Sequence, residues 1–168
     1  MTMTNRRTLL TLAPAVLLAG CGFRLRGVPE FGFDALYVAA PAGSLLAREL
    51  RRTLEGSGGT LKVLQDAASL PPTGAILDLL QEQPERVVVG LNASGQVREL
   101  SLRLRIKFKL RTPGGVELIP VTELVQQRDI SYSETIALAK EAEEALLYRD
   151  MRTDLVQQLM RRLAAVKR

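Results

Sequence analysis

Between Leu102 and Arg111 the chain alternates without a break: Leu102, Leu104, Ile106, Phe108 and Leu110 are apolar, and Arg103, Arg105, Lys107, Lys109 and Arg111 are basic. A period of two yields two clean faces only in a β-strand, whose successive side chains point to opposite sides. The segment Val97 to Arg111 is therefore predicted to be a strand with one apolar and one cationic face. Thr112-Pro113-Gly114-Gly115 turns it into a partner running from Val116 to about Tyr132. A three-residue loop, Pro113 to Gly115, sets Leu110 against Leu118 and Leu104 against Leu124 on one side. On the other side it sets Arg111 against Glu117 and Arg105 against Glu123. A two-residue loop would place cations opposite Val116 and Leu118, so the longer loop is expected, with a glycine at positive φ. This register leaves Arg103, Lys107 and Lys109 less compensated. It also puts Ile119, Val121 and Val125 among the cations. Both faces of the hairpin are then partly apolar, which points to helices over one and another molecule over the other.

The rest of the pattern is more ordinary. Ala35 to Ala40 reads as a short strand closed by Pro41, and Ser44 as the N-cap of a helix to about Glu55 with Leu46, Leu50 and Leu54 on one stripe. Gly56-Ser57-Gly58-Gly59 follows that helix and is read as its end. A phosphate-cradling loop would precede a helix and run into Lys-Ser or Lys-Thr. Leu61 to Leu64 is a second short strand, Ala68 to Gly74 a loop, and Ile76 to Leu91 contains a longer strand. The strand is expected to be interrupted near Pro84, which is tolerated only on an edge or at a bulge. Asn92 to Gly95 is a turn. From Glu134 onward the period becomes helical, with Tyr148, Met151, Leu155, Leu159 and Leu163 on one stripe widened by Val156 and Met160. Acids crowd the start of that helix and bases its end, as the helix dipole favours. Lys140 is the lone cation among the acids, either an i,i+4 partner of Glu144 or a ligand contact.

Composition narrows the chemistry. The 168 residues suit one domain, and with no tryptophan the core falls to Leu, Val, Ala and Ile. Histidine is absent, which removes the commonest general base and metal ligand. The single cysteine excludes an internal disulfide, a thiolate zinc cage and a CxxC redox pair. A formal charge of +5 favours anionic partners without choosing among them. No catalytic residue, metal ligand or cofactor site is expected.

The cysteine has another use. Residues 1–20 carry Arg6 and Arg7, an apolar run from Leu9 to Leu18 and small residues, which together read as a signal peptide. Leu18-Ala19-Gly20-Cys21 resembles the bacterial lipobox, in which the cysteine thiol receives diacylglycerol, the chain is cut before it and the new amine is acylated. One acyl chain attaches only marginally, so several on Cys21 imply a durable membrane anchor. Gly22 stands where an Asp would resemble an inner-membrane retention signal, which implies sorting to the outer membrane. Paired basics are common in Sec signals, and Sec export is preferred over the twin-arginine route. Cleavage leaves a mature formal charge of +3, carried by the folded domain. Residues 21–33 form the acylated cysteine and lead-in, and 34–168 a single domain.

Taken in order, Leu18 to Gly27 (LAGCGFRLRG), the turn and strand from Asn92 to Arg111, Arg128 to Glu134 (RDISYSE), Leu138 to Met151 and Gln157 to Leu163 (QQLMRRL) resemble the LptE family of Gram-negative outer membranes. The resemblance spans nearly the whole chain and is weakest from Leu61 to Glu85. Ser133 stands where the family pattern has Asn, and either residue caps a helix. The resemblance implies an α+β two-layer sandwich, two helices on one face of a mixed, roughly four-stranded sheet. It also implies a non-catalytic lipoprotein seated in the LptD β-barrel, supporting its assembly and passing lipopolysaccharide to the outer leaflet. The candidate binding residues are Arg103, Arg105, Lys107, Lys109, Arg111 and Lys140, suited to lipid A phosphates by charge-assisted hydrogen bonds. The alternatives are a lipid-anchored binder of other anionic polymers and, behind it, a lipid-anchored hydrolase with paired carboxylates. Nucleic acid is disfavoured, because the basic strand interleaves no aromatic beyond Phe108 and the leader exports the chain.

Overall fold

The computed structural model describes residues 29–132 and 137–167; the signal peptide, Cys21, the lead-in as far as Val28, and Ser133 and Glu134 lie outside the described residues. Five strands form one sheet: β1 (Ala35–Ala39), β2 (Lys62–Leu64), β3 (Ala75–Leu91), β4 (Val97–Arg111) and β5 (Glu117–Ser131). Their order is β2-β1-β3-β4-β5, parallel across β2-β1-β3 and antiparallel across β3-β4-β5. Two helices, α1 (Leu45–Glu55) and α2 (Ala137–Ala164), pack on one face. The fold is the expected α+β sandwich with one strand more than the four implied. All five answer to strands read from the sequence; the shortest, β2, is the strand expected at Leu61 to Leu64, three residues held on β1 and anchored where the Lys62 amide donates to the Asp34 carbonyl at 2.9 Å.

The core is built from the predicted stripes. Leu102, Leu104, Ile106, Phe108 and Leu110 of β4 are buried against Leu46, Leu50 and Leu54 of α1 and Met151, Leu155, Leu159 and Leu163 of α2. Burying each such side chain is worth roughly 1.5–3 kcal/mol, so the alternation in β4 pins that strand's orientation. Ser44 caps α1 as expected, its Oγ accepting from the Ala47 amide at 3.0 Å. Glu82 of β3 reinforces the cap by accepting from Ser44 Oγ at 2.6 Å and from the Leu46 amide at 3.2 Å. A carboxylate at a helix N-terminus is also favoured by the helix dipole.

Both β-hairpins close the same way. The Thr112 amide donates to Val116 and that of Gly115 to Thr112, with Gly115 at φ +90°, so the loop is Pro113 to Gly115 as predicted. At the other end the Asn92 amide donates to Gln96 and that of Gly95 to Asn92, with Gly95 at φ +80°. The predicted register beyond the first pair is corrected. Arg111 lies opposite Glu117, but Leu110 then meets Ile119, Ile106 meets Leu124 and Lys107 meets Glu123. Two irregularities add residues to β5 around Leu118 and Pro120, where a missing amide hydrogen favours a bulge. The slip totals two residues, so each remaining side chain keeps its face. Ile119 is the exception: it opposes Leu110 and packs on the core instead of sitting among the cations.

Beyond Asp78, β3 has lost β1 as a neighbour and pairs only with β4. Pro84 sits in this free-edged half, as a strand proline requires. The interruption expected there is not seen, and β3 runs through Pro84 for 17 residues.

Candidate functional site

The five cations of β4 lie on the sheet face away from the helices, as the alternation predicts. Neighbours two residues apart stand about 6.6 Å from each other, inside the roughly 8 Å screening length of physiological salt. Their counterions come mostly from β3. Arg111 Nε donates to Asp78 at 2.7 Å, and Lys109 Nζ stands 3.9 Å from the same carboxylate. Arg105 bridges Glu85 of β3, at 3.2 Å, and Glu123 of β5, which also lies 3.6 Å from Lys107. Three carboxylates thus hold four cations.

The expected pairing of Arg111 with Glu117 is replaced by Asp78, and the expected shortfall at Lys107 and Lys109 is partly met. Arg103 is different. Among the described residues it makes no ion pair, and its Nε is shielded from solvent with no hydrogen-bond acceptor. Glu85 lies opposite it in the register but is taken by Arg105. A shielded donor without an acceptor is costly.

Hydrogen bonding to Glu85 and the field of Glu123 raise the pKa of Arg105, and hydrogen bonding to Asp78 raises that of Arg111. Both guanidiniums stay charged at any accessible pH. Asp78 and Glu85 carry no period-two signal, being of opposite parity. A bulge between Leu79 and Gln81 inserts Leu80 and brings Asp78, Gln81, Gln83 and Glu85 onto one face. Only the local irregularity makes them strip residues.

Lys140 is not on this face. It opens α2 and donates to Glu143 at 2.7 Å and to Ser131 at 3.4 Å, while Glu144, its expected partner, binds Arg86 at 3.0 Å. Cys21 lies outside the described residues. Among those residues no group of three His, Cys, Asp or Glu gathers as a metal site, and no helix is long and apolar enough to cross a membrane.

The family model for lipopolysaccharide-assembly LptE matches residues 33–163. The LPS-assembly lipoprotein LptE of Yersinia enterocolitica is 32% identical over 169 residues, spanning 98% of this chain and 78% of that protein. Its counterpart in Photorhabdus laumondii is 30% identical, over 98% of this chain and 88% of that one. Among solved structures, an uncharacterized lipoprotein B from Nitrosomonas europaea superposes with a TM-score of 0.72 at 34% identity, over 86% of this chain and 91% of that one. The rare lipoprotein B of Shewanella oneidensis, at 23% identity and a TM-score of 0.66 over 79% of this chain and 95% of that one, shares the fold.

Proposed function

This chain belongs to the LptE family of lipopolysaccharide-assembly lipoproteins, which take part in lipopolysaccharide transport without catalysing a reaction; on that premise we propose that it is anchored to the outer membrane through Cys21 and seated in the LptD β-barrel. There it supports barrel assembly and engages lipopolysaccharide through the uncovered face of β4. The single observation that carries this reading is the state of Arg103, a partly exposed cation in the middle of a charged strip that makes no ion pair among the described residues and whose Nε is left without an acceptor. Phosphate oxygens from lipid A would supply the missing acceptor and draw on Lys107 and Lys109, whose contacts at 3.6 and 3.9 Å are too long for hydrogen bonds. A barrel lumen is polar, so a charged sheet face can be accommodated inside one.

The test is the triple reversal Arg103→Glu, Lys107→Glu and Lys109→Glu. All three side chains lie outside the core, so circular dichroism should be unchanged. Affinity for lipopolysaccharide should drop by at least about tenfold, the loss one charge-assisted hydrogen bond carries. Unaltered binding would discard the strip as the ligand surface. Failure of the wild-type lipoprotein to copurify with an outer-membrane barrel would discard the partnership.

A further inference from the structure

We propose that the seam between α1 and α2 is a second anion site, on the other side of the sheet from the cationic face of β4, which takes the phosphate of a lipid whose chain enters an adjoining apolar cleft. The seam holds a recess of about 360 Å³ lined by Arg48 and Arg52 of α1 and by Arg149 and Arg152 of α2. Its one carboxylate, Glu49, accepts a hydrogen bond from Thr153 at 2.6 Å. Arg48, Arg52 and Arg149 are exposed and make no ion pair among the described residues. Arg152 is half-buried, with its Nε 3.8 Å from Glu82, shielded from solvent and lacking an acceptor.

A solvated helix face ordinarily interleaves acids with bases at i,i+4. Here Arg48 and Arg52 repel each other along α1 and face a second cationic pair across the seam. The helix dipole accounts for Arg52, in the last turn of α1, but not for the other three. A phosphate among the four guanidiniums would turn that repulsion into bidentate hydrogen bonding.

The adjoining cleft decides what carries the phosphate. It is an open cleft of about 500 Å³, walled largely by Pro41, Leu45, Pro84, Leu104 and Tyr148, and its one carboxylate, Glu82, is engaged by the Ser44 hydroxyl and the Leu46 amide. Leu45 and Arg152 line both spaces, so cationic recess and apolar slot share a wall. A soluble anion or an acidic protein side chain would use only the recess. A phosphorylated amphiphile uses both, and Leu45, a 43% exposed leucine at the start of α1, then gains an apolar partner. None of these residues belongs to the β4 strip, so either site can fail alone.

The test uses the mature chain, residues 21–168, with Cys21→Ser, so that neither the apolar leader nor acyl groups contribute, and phosphatidylcholine vesicles with or without phosphatidate. Replacing Arg48, Arg52 and Arg149 by Gln should weaken phosphatidate-dependent co-sedimentation by at least about tenfold. A control that removes the same charge at and just beyond the far end of α2, Arg161→Gln with Arg162→Gln and Lys167→Gln, should leave it within about twofold. Leu45→Asn should weaken vesicle binding while inorganic pyrophosphate, followed by calorimetry, still binds. Equal losses in the seam and control variants, or none in the seam variant, would overturn the site. Unchanged vesicle binding by Leu45→Asn would overturn the lipid. If the seam variant binds vesicles normally but no longer copurifies with an outer-membrane barrel, the arginines serve a protein partner and the proposal is wrong.

Discussion

The hydroxyl of Tyr148 donates to the backbone carbonyl of Glu85 at 2.7 Å, tying α2 to the free-edged half of β3. Burial raises its pKa above the ordinary 10.0, and the carboxylates of Glu144 and Glu85 push the same way against Arg86. The folded state therefore holds this proton more tightly than the unfolded chain does. The stabilisation is complete below about pH 10 and declines as pH rises toward the folded pKa, because the unfolded state ionises first. Tyr148→Phe should cost about 1 kcal/mol near neutrality through the lost hydrogen bond. Above about pH 10 the gap between variant and wild type should narrow. Urea denaturation across that range measures it, and parallel profiles would show that the phenol does not sense its site.

At the scale of elements, α1 is held by burial of Leu46, Leu50 and Leu54 and by one carboxylate. Glu82 accepts from Ser44 and from the Leu46 amide, and stands 3.8 Å from Arg152. Glu82→Ala leaves the cap with Ser44 alone and removes the one carboxylate that pairs with Arg152 among the described residues. The expected loss is about 1–3 kcal/mol, read by urea denaturation. Glu82→Gln should recover part of it, since an amide oxygen still accepts; equal losses would mean that charge, not hydrogen bonding, holds the helix end. The stripe of α1 and its Ser44 cap were legible in the sequence, as were the alternation in β4 and the glycine loop, because each rests on neighbours within a turn or a strand. The role of Glu82 was not legible. Its partners lie 36 and 38 residues away, and the Leu80 bulge that turns it toward the helices leaves no mark in the hydrophobic pattern. The slip in β5 was hidden for a related reason, since a two-residue shift preserves apolar matching and only Pro120 hints at the bulge. The arginine seam joins helices about one hundred residues apart in the chain, so no local spacing could reveal it.

For the whole molecule, the proposed attachment to the membrane can be separated from the affinity of the folded body. Cys21 lies eight residues before Pro29, where the described structure begins. A fully extended chain of that length spans at most roughly 26–29 Å. An acylated Cys21 would thus keep the sheet and both cationic surfaces close to the bilayer and raise their effective concentration toward a partner in that plane. The body also has an apolar surface of its own, with Val88, Val89 and Leu91 between 51% and 61% exposed at the far end of β3. In cells lacking the barrel, a variant in which residues 22–168 follow a cleavable export leader without a lipobox should leave the membrane pellet for the soluble periplasmic fraction. With the barrel present, the same variant should sediment with it at reduced occupancy, because the domain's own contacts remain. Retention of that leaderless, unacylated chain in the pellet without the barrel would transfer the anchoring role from the cysteine to that exposed edge of β3, and Val88→Ser with Val89→Ser and Leu91→Ser would then release it.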